Sequence, residues 1–144
     1  MVNRDLLALK LTELLSRIDR VRSRVPDTAE DLRGDRDALD IVAFNLMLSV
    51  QSCSDIASHV IADEGWAAAT TLAEGFARLR EHGVIGETTS ESLGQAVGLR
   101  NIVAHGYAAI DVELCHRAAT VGLADLEAFA REVSVWAESS SQPA

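Results

Sequence analysis

Residues 37–62 read DALDIVAFNLMLSVQSCSDIASHVIA and are the longest amphipathic segment of the chain. Apolar residues recur here at spacings of three and four, which predicts an α-helix from about Asp37 to Ala62. They form two adjacent lines, Leu39, Val42, Leu46, Cys53, Ile56 and Val60 on one and Ala43, Met47, Val50, Ala57 and Ile61 on the other. Because this stripe is wider than a surface helix of a monomer needs, we expect either the central helix of a bundle or a helix buried against a second copy.

The same kind of periodicity continues on both sides of this segment and predicts an all-α protein. Further helices are expected at about 3–24, at 67–82 or 70–82, from a cap at Thr89 or Ser90 to about residue 105, and from a cap at Asp111 to about residue 136. Residues 27–36 are predicted to be a loop or a short capping turn. The expected fold is an antiparallel bundle of about five helices in one domain, 1–138, with a frayed tail at 139–144.

Composition agrees with helical packing and limits the classes of function. Hydrophobic residues make up 48% of the chain and aromatic residues 4%, and the net charge is −9. A chain this acidic is not a broadly basic nucleic-acid binder, so RNA would have to meet a local arginine patch. Four arginines, Arg17, Arg20, Arg22 and Arg24, crowd the end of the first helix. Their cluster is either a solvated face favoured by the helix dipole or an edge that contacts phosphate.

The two cysteines and the length of the apolar segments indicate in which cellular compartment the protein is expected. Cys53 and Cys115 stand apart, each on an apolar helical stripe, so we expect reduced core residues. No signal-peptide pattern opens the chain, and no apolar run approaches the roughly 20 residues that cross a bilayer. We therefore expect a cytoplasmic protein with no membrane partner.

The stretch LRNIVAHGY at residues 99–107 concentrates reactive side chains. Arg100 carries a planar, permanently charged guanidinium that fits two phosphate oxygens, and His105 can exchange protons near neutral pH. Asn101 lies four residues before His105 on the same helical face, so its amide can orient the imidazole. Gly106 predicts that the helix ends at His105, where the helix dipole favours the protonated imidazole. These residue types indicate phosphate chemistry.

This stretch resembles the Rx4–6H motif of the HEPN superfamily, and its longer form, Arg100-x4-His105-x-Tyr107, resembles that of HepT proteins. HepT proteins are ribonuclease toxins of type VII toxin–antitoxin modules, and their partner is a minimal nucleotidyltransferase, MntA. The resemblance covers nearly the whole chain. It implies a HEPN-like homodimer that cleaves RNA without a metal or other cofactor, with a cognate MntA-like antitoxin as partner.

The resemblance also implies a role for each motif residue. His105 would act as general acid and base, Arg100 would stabilise the developing phosphate charge, and Asn101 would position the imidazole or a phosphate oxygen. Copies from two protomers would form one site, and the products would be a 2′,3′-cyclic phosphate and a 5′-hydroxyl. Tyr107, the only tyrosine, is either a half-buried ring with a hydrogen-bonded hydroxyl or the residue that the partner adenylylates to silence the toxin.

Two other classes of function stay open. In the first alternative, the protein is a non-catalytic HEPN-like helical dimer that binds nucleotide or a partner protein, and Arg100 and His105 are a buried polar pair. In the second it is a metal enzyme. Asp55 and His59 lie four residues apart and are predicted to pair, either structurally, in the wall of the motif's pocket, or as part of a metal site. Metal binding is the least favoured because no further ligands lie at suitable spacing.

Overall fold

The computed structural model describes residues 1–104 and 110–140, without the side chains of Val97 and of residues 99–104. These ranges form seven helices, α1 (Arg4–Arg24), α2 (Ala29–Arg33), α3 (Arg36–Glu64), α4 (Leu72–Glu81), α5 (Glu87–Ala104), α6 (Val112–Thr120) and α7 (Leu123–Ser140). No strand occurs in the described ranges, and the predicted all-α bundle is confirmed. The number of helices is larger than the five expected, for the reasons given below.

Helix α3 is the centre of the bundle, as one of the two interpretations of its wide stripe predicted. It contacts all six other helices, most extensively α1. Fourteen of its residues are buried. The helix begins after Asp35, whose side chain accepts the backbone N–H of Ala38, and ends at Gly65, whose φ of +73° favours glycine. Both apolar lines of α3 are therefore buried mainly by other helices of the same protomer.

Helix α3 is also long and apolar enough, by length and composition, to span a membrane. The sequence had suggested that no segment meets this condition. Over half of the most apolar window of α3 is buried inside the bundle. Packing against the other helices accounts for its composition, as expected for a core helix.

The N-terminal part follows the apolar spacing closely. In α1, Leu7, Leu14, Ile18 and Val21 are buried, and the Asn3 side chain caps the helix by accepting the N–H of Leu6. The link after α1 was predicted to be a loop or a capping turn. It contains instead the short helix α2, which Thr28 caps and whose Leu32 is fully buried. A single core side chain thus fixes a helical turn in a polar segment.

The last predicted helix, from Asp111 to about residue 136, is divided into α6 and α7. The chain turns at Val121 and Gly122, where the N–H of Gly122 donates to Arg117 O at 3.1 Å. A Cβ at Gly122 would lie 2.6 Å from the carbonyl oxygen of Ala118, so the close turn requires glycine. Helix α7 then continues to Ser140, so the first two residues of the predicted frayed tail are helical, and residues 141–144 lie outside the description.

Helix α5 begins at Glu87, earlier than the caps predicted at Thr89 or Ser90. Both of those side chains are buried in its first turn. The N-terminal end of α5 is stabilised by Glu132 of α7. The Glu132 carboxylate accepts hydrogen bonds from the N–H of Gly86 at 2.7 Å and from the hydroxyl of Thr89 at 2.6 Å. This long-range cap could not be read from the local sequence.

Both cysteines are buried and unbonded, which confirms their predicted role in the core. Burial raises the pKa of the Cys53 thiol far above its usual range. Burial and, to a smaller extent, the negative charge of Asp111 raise the pKa of Cys115 to about 11.

Candidate functional site

The motif begins on the last turns of α5. Arg100 and Asn101 belong to this helix, which ends at Ala104. Their side chains, and the whole of His105, Gly106 and Tyr107, lie outside the described residues. Convergence of these groups and the predicted helix end at His105 therefore remain predictions.

Helices α5 and α6 bound the segment that carries the motif. On one side α5 packs against α3, α4 and α7, and its Leu93 is fully buried. On the other side Asp111 caps α6, as predicted, by accepting the N–H of Leu114 at 3.1 Å. Ile110 packs against the core next to this cap. Residues 105–109 lie between the end of α5 and Ile110.

An open groove of about 330 Å³, here called the α5 groove, lies between α3, α5, α6 and α7. Its apolar and small lining residues include Leu46, Val50, Leu93, Ala96, Gly98, Leu114, Ala118, Val121 and Leu126. Gly98 precedes Arg100 by two residues, so the groove borders the turn of α5 on which the motif begins. Leu114 and Val121 are apolar but 39% and 73% exposed. The motif is thus adjacent to an apolar surface that the described chain does not cover.

The other predicted polar pair is arranged differently from the expectation. His59 does not pair with Asp55; its Nε2 lies 3.2 Å from Oδ2 of Asp63, one turn further along α3. Asp63 Oδ2 also accepts the backbone N–H of Asn3 at 2.9 Å, which fixes the carboxylate on that side. Asp55 instead accepts a hydrogen bond from Gln51 at 3.2 Å. Neither Asp55 nor His59 lines the α5 groove.

The remaining histidines of the described chain have structural surroundings. His116 forms a hydrogen bond between Nε2 and Pro26 O at 2.8 Å, which ties α6 to the link after α1. His82 is exposed and stacks on Trp66, with ring centroids 3.8 Å apart. Across residues 1–104 and 110–140, no group of three or more His, Cys, Asp or Glu residues is arranged to hold a metal ion.

Three of the four arginines at the end of α1 differ in their surroundings. Arg22 pairs with Glu127 of α7 at 2.5 Å and, more weakly, with Asp19 at 3.7 Å. Arg17 and Arg20 line a second groove of about 430 Å³ between α1 and α3, here called the α1 groove. Arg17 and Arg20 thus border a groove that a ligand can enter, whereas Arg22 is engaged in ion pairs, so the choice between a solvated face and a phosphate-contacting edge differs within the cluster.

Phe44 also lines the α1 groove and was not singled out from the sequence. Phe44 is 46% exposed. The available signal was its position on α3, because Phe44 falls outside both apolar lines of residues 37–62. A single exposed aromatic residue is common on protein surfaces, and Phe44 gains interest only because it lies beside the two arginines of the α1 groove.

Comparison with known proteins identifies related chains over most of this length. Residues 14–133 match the family described as HepT-like ribonucleases. The mRNA nuclease HepT of Shewanella oneidensis is 26% identical over 125 residues, which cover 87% of this chain and 93% of that protein.

Solved structures share the fold. The tri-AMPylated HEPN toxin of Shewanella oneidensis in complex with its MNT antitoxin superposes with a TM-score of 0.82 at 24% identity, over 91% of this chain and 98% of that chain. The cytosolic protein YutE of Bacillus subtilis superposes with a TM-score of 0.84 at 13% identity, over 99% and 96% of the two chains. At these identities the two likenesses concern the fold alone.

Proposed function

The chain belongs to the HepT-like ribonuclease family, and from this membership we propose that it is a metal-independent RNA endonuclease and the toxin of a type VII HepT/MntA-like toxin–antitoxin module in the cytoplasm. The observation that carries the proposal is the position of the Arg100-x4-His105 motif. It begins on the last turns of α5, beside an open groove, in a chain that matches the family over residues 14–133.

The proposed chemistry uses groups that the motif supplies. Cleavage requires the 2′-hydroxyl to lose a proton, the phosphorane to be stabilised and the 5′-oxygen to gain a proton. We assign both proton transfers to His105 from the two protomers, charge stabilisation to Arg100 and the positioning of imidazole or phosphate to Asn101. The expected products are a 2′,3′-cyclic phosphate and a 5′-hydroxyl.

The proposal requires a homodimer, and the α5 groove supports one. Its exposed apolar residues are Leu114 on α6 and Val121 in the turn after α6, and Gly98 and Ala96 allow a close approach to α5. A two-fold axis near this surface would bring two copies of the motif together. Val121→Glu should convert dimer to monomer in sedimentation velocity, whereas Val135→Glu, which also replaces an exposed valine but lies on α7, should not.

An RNA cleavage assay in excess EDTA tests the chemistry. The wild type should cleave, and His105→Ala and Arg100→Ala should each lose about 100-fold or more in rate, the usual scale for a general acid or base or an oxyanion stabiliser. His82→Ala is the matched control, because His82 stacks on Trp66 at the end of α4. Cleavage that needs a divalent ion, or that survives His105→Ala, would contradict the proposal.

Tyr107 is the proposed regulatory residue. The related Shewanella toxin is tri-AMPylated in its complex with an MNT antitoxin, and we propose that a nucleotidyltransferase partner adenylylates Tyr107 in the same way. Attached phosphates would compete for Arg100 and their bulk would block RNA. Intact mass after co-expression with the partner should rise by AMP units in the wild type and not in Tyr107→Phe.

The second candidate is the non-catalytic dimer that binds nucleotide or a partner protein, and the net charge of −9 favours it. It predicts harmless expression of the wild type. The nuclease predicts toxicity that Arg100→Ala or His105→Ala relieves.

A further inference from the structure

The α1 groove combines the three kinds of group that hold single-stranded nucleic acid. Arg17 and Arg20 supply guanidinium groups, Ser16 and Ser23 supply hydroxyls, and Phe44 supplies an exposed aromatic ring. Guanidinium groups pair with phosphates, and a ring on the surface stacks with a base of any sequence. The acidic member of the lining, Asp19, lies 3.7 Å from Arg22 outside the groove, which reduces its repulsion of a phosphate.

The groove is organised by a buried polar side chain. Asn45 is 5% exposed, and its amide nitrogen donates to Ile41 O at 2.8 Å. Its Oδ1 accepts a hydrogen bond from Arg17 at 3.5 Å, so the arginine is held at the seam between α1 and α3. A buried amide that orients a surface guanidinium is more than a solvated charge run requires.

We propose that the α1 groove is an accessory binding site for single-stranded RNA, in which Arg17 and Arg20 contact phosphates and one base stacks on Phe44. The inference rests on the proposed ribonuclease function, because it assigns this surface to the substrate. Because the whole chain is acidic, phosphate would have to be met by local guanidinium groups such as these. Eight of the 13 Lys and Arg residues fall in residues 1–36, where only seven acids occur.

The groove is placed to act on long substrates. Phe44 and Leu46 are two residues apart on α3, about 200° around its axis, so the α1 groove and the α5 groove lie on opposite sides of the same helix segment. One strand must pass around α3, or across a partner protomer, to occupy both. A dinucleotide reaches the motif alone and gains nothing from the accessory site.

Fluorescence anisotropy tests binding separately from cleavage. The probe is a 5′-fluorescein single-stranded RNA of about 20 nucleotides, longer than a typical single-strand site, and the background is His105→Ala. Phe44→Ala should weaken binding about fivefold or more, the lower end for loss of one stacked base. Arg17→Gln with Arg20→Gln should reduce the slope of log affinity against log salt by about 1.4, since each single-strand phosphate contact contributes about 0.7.

The matched control removes the same charge elsewhere. Arg80 and Arg131 are exposed and lie outside the α1 groove, so Arg80→Gln with Arg131→Gln should change binding by less than the groove pair. If both double variants weakened binding equally, RNA would be attracted by positive charge anywhere on the surface, and the proposal would be overturned. It would also be overturned by an absence of RNA binding, or by a change of oligomeric state in Phe44→Ala without a loss of RNA affinity, which would make the groove a protein interface.

Kinetics of the active protein separate this inference from the function on which it rests. In the groove variants, kcat/KM should fall more for the 20-mer than for a dinucleotide. Equal falls for both substrates would place the effect at the motif and contradict an accessory site. A wild type that binds the 20-mer at the groove but cleaves neither substrate would overturn the proposed nuclease and leave the binding site established.

Discussion

Helices α3 and α5 use their side chains in different ways. In α3, buried residues occur in every turn from Ala38 to Ile61, and all but three of the fourteen are apolar. In the described side chains of α5, the buried residues are Thr89, Ser90 and Leu93. Gly94 and Gly98 add no side chain at all. Helix α3 is therefore a core helix, whereas the described side chains of α5 are mostly exposed or half-buried.

This difference separates stability from function in the bundle. The packed side of the molecule around α3 tolerates no loss of volume without a cost in folding free energy. The side around α5 presents an apolar groove and the start of the motif, and the first turn of α5 is held by Glu132 of α7. Substitutions of equal chemistry on the two sides should therefore have unequal effects, and four comparisons test this.

The largest difference is expected between two valines. Val60 of α3 is fully buried, whereas Val121 in the α5 groove is 73% exposed. Val60→Ala should lower the free energy of unfolding by about 2–3 kcal/mol, from lost transfer energy and a residual cavity. Val121→Ala should change it by about 0.5 kcal/mol or less. Urea denaturation measures both, and similar losses would contradict the division into a packed and an open side.

Two glycines should respond with opposite signs. At Gly122 an added Cβ would meet the backbone of Ala118 at 2.6 Å, so Gly122→Ala should destabilise the turn between α6 and α7 by about 1–2 kcal/mol. At Gly94 an added Cβ would meet nothing within 4 Å outside its own helical backbone and chain neighbours, and Gly94→Ala should stabilise α5 by about 0.5–1 kcal/mol. Thermal unfolding of the two variants distinguishes them, and a destabilised Gly94→Ala would indicate a close neighbour at α5.

The sequence was sufficient for the packed side of the molecule. The ends of α1 and α3 were predicted within two residues, because apolar spacing and local caps determine both. The division between α6 and α7 was missed because the apolar stripe continues across Gly122 while the chain turns. The start of α5 was misplaced because its stabilising partner, Glu132, is remote in sequence.

The open side was predictable only in its chemistry. Residue types at Arg100 and His105 indicate phosphate chemistry from the sequence, but their convergence depends on tertiary and dimer contacts that no local pattern encodes. The same reason applies to His59, which had carboxylates four residues away on both sides. The backbone N–H of Asn3, 60 residues from Asp63, is what fixes its partner there.

Two glutamates of α7 test how the end of α5 is held. Glu132 accepts two hydrogen bonds at the start of α5, whereas Glu127 forms an exposed pair with Arg22. Glu132→Ala should cost about 1 kcal/mol, as the loss of a helix cap does, and should accelerate amide hydrogen exchange in the first turn of α5. Glu127→Ala should cost about 0.5 kcal/mol or less and leave that exchange unchanged. Equal exchange in both variants would mean that α5 is held by packing alone.

The smallest expected effect compares the two thiols, Cys53 on α3 and Cys115 on α6. Burial, with a smaller contribution from the charge of Asp111, raises the pKa of Cys115 to about 11. The protonated Cys115 thiol therefore contributes stability that is present below the unfolded pKa of 9.0 and is lost as the pH rises toward 11. Asp111→Asn removes the charge but keeps a good N-cap for α6, so the pKa of Cys115 should fall. At pH 9, iodoacetamide should then modify Cys115 faster than in the wild type. Cys53, whose pKa is raised by burial alone, should react at an unchanged, slower rate, and peptide mass spectrometry resolves the two sites. Equal acceleration at both cysteines would mean that Asp111→Asn loosens the whole bundle rather than changing the pKa of Cys115 locally.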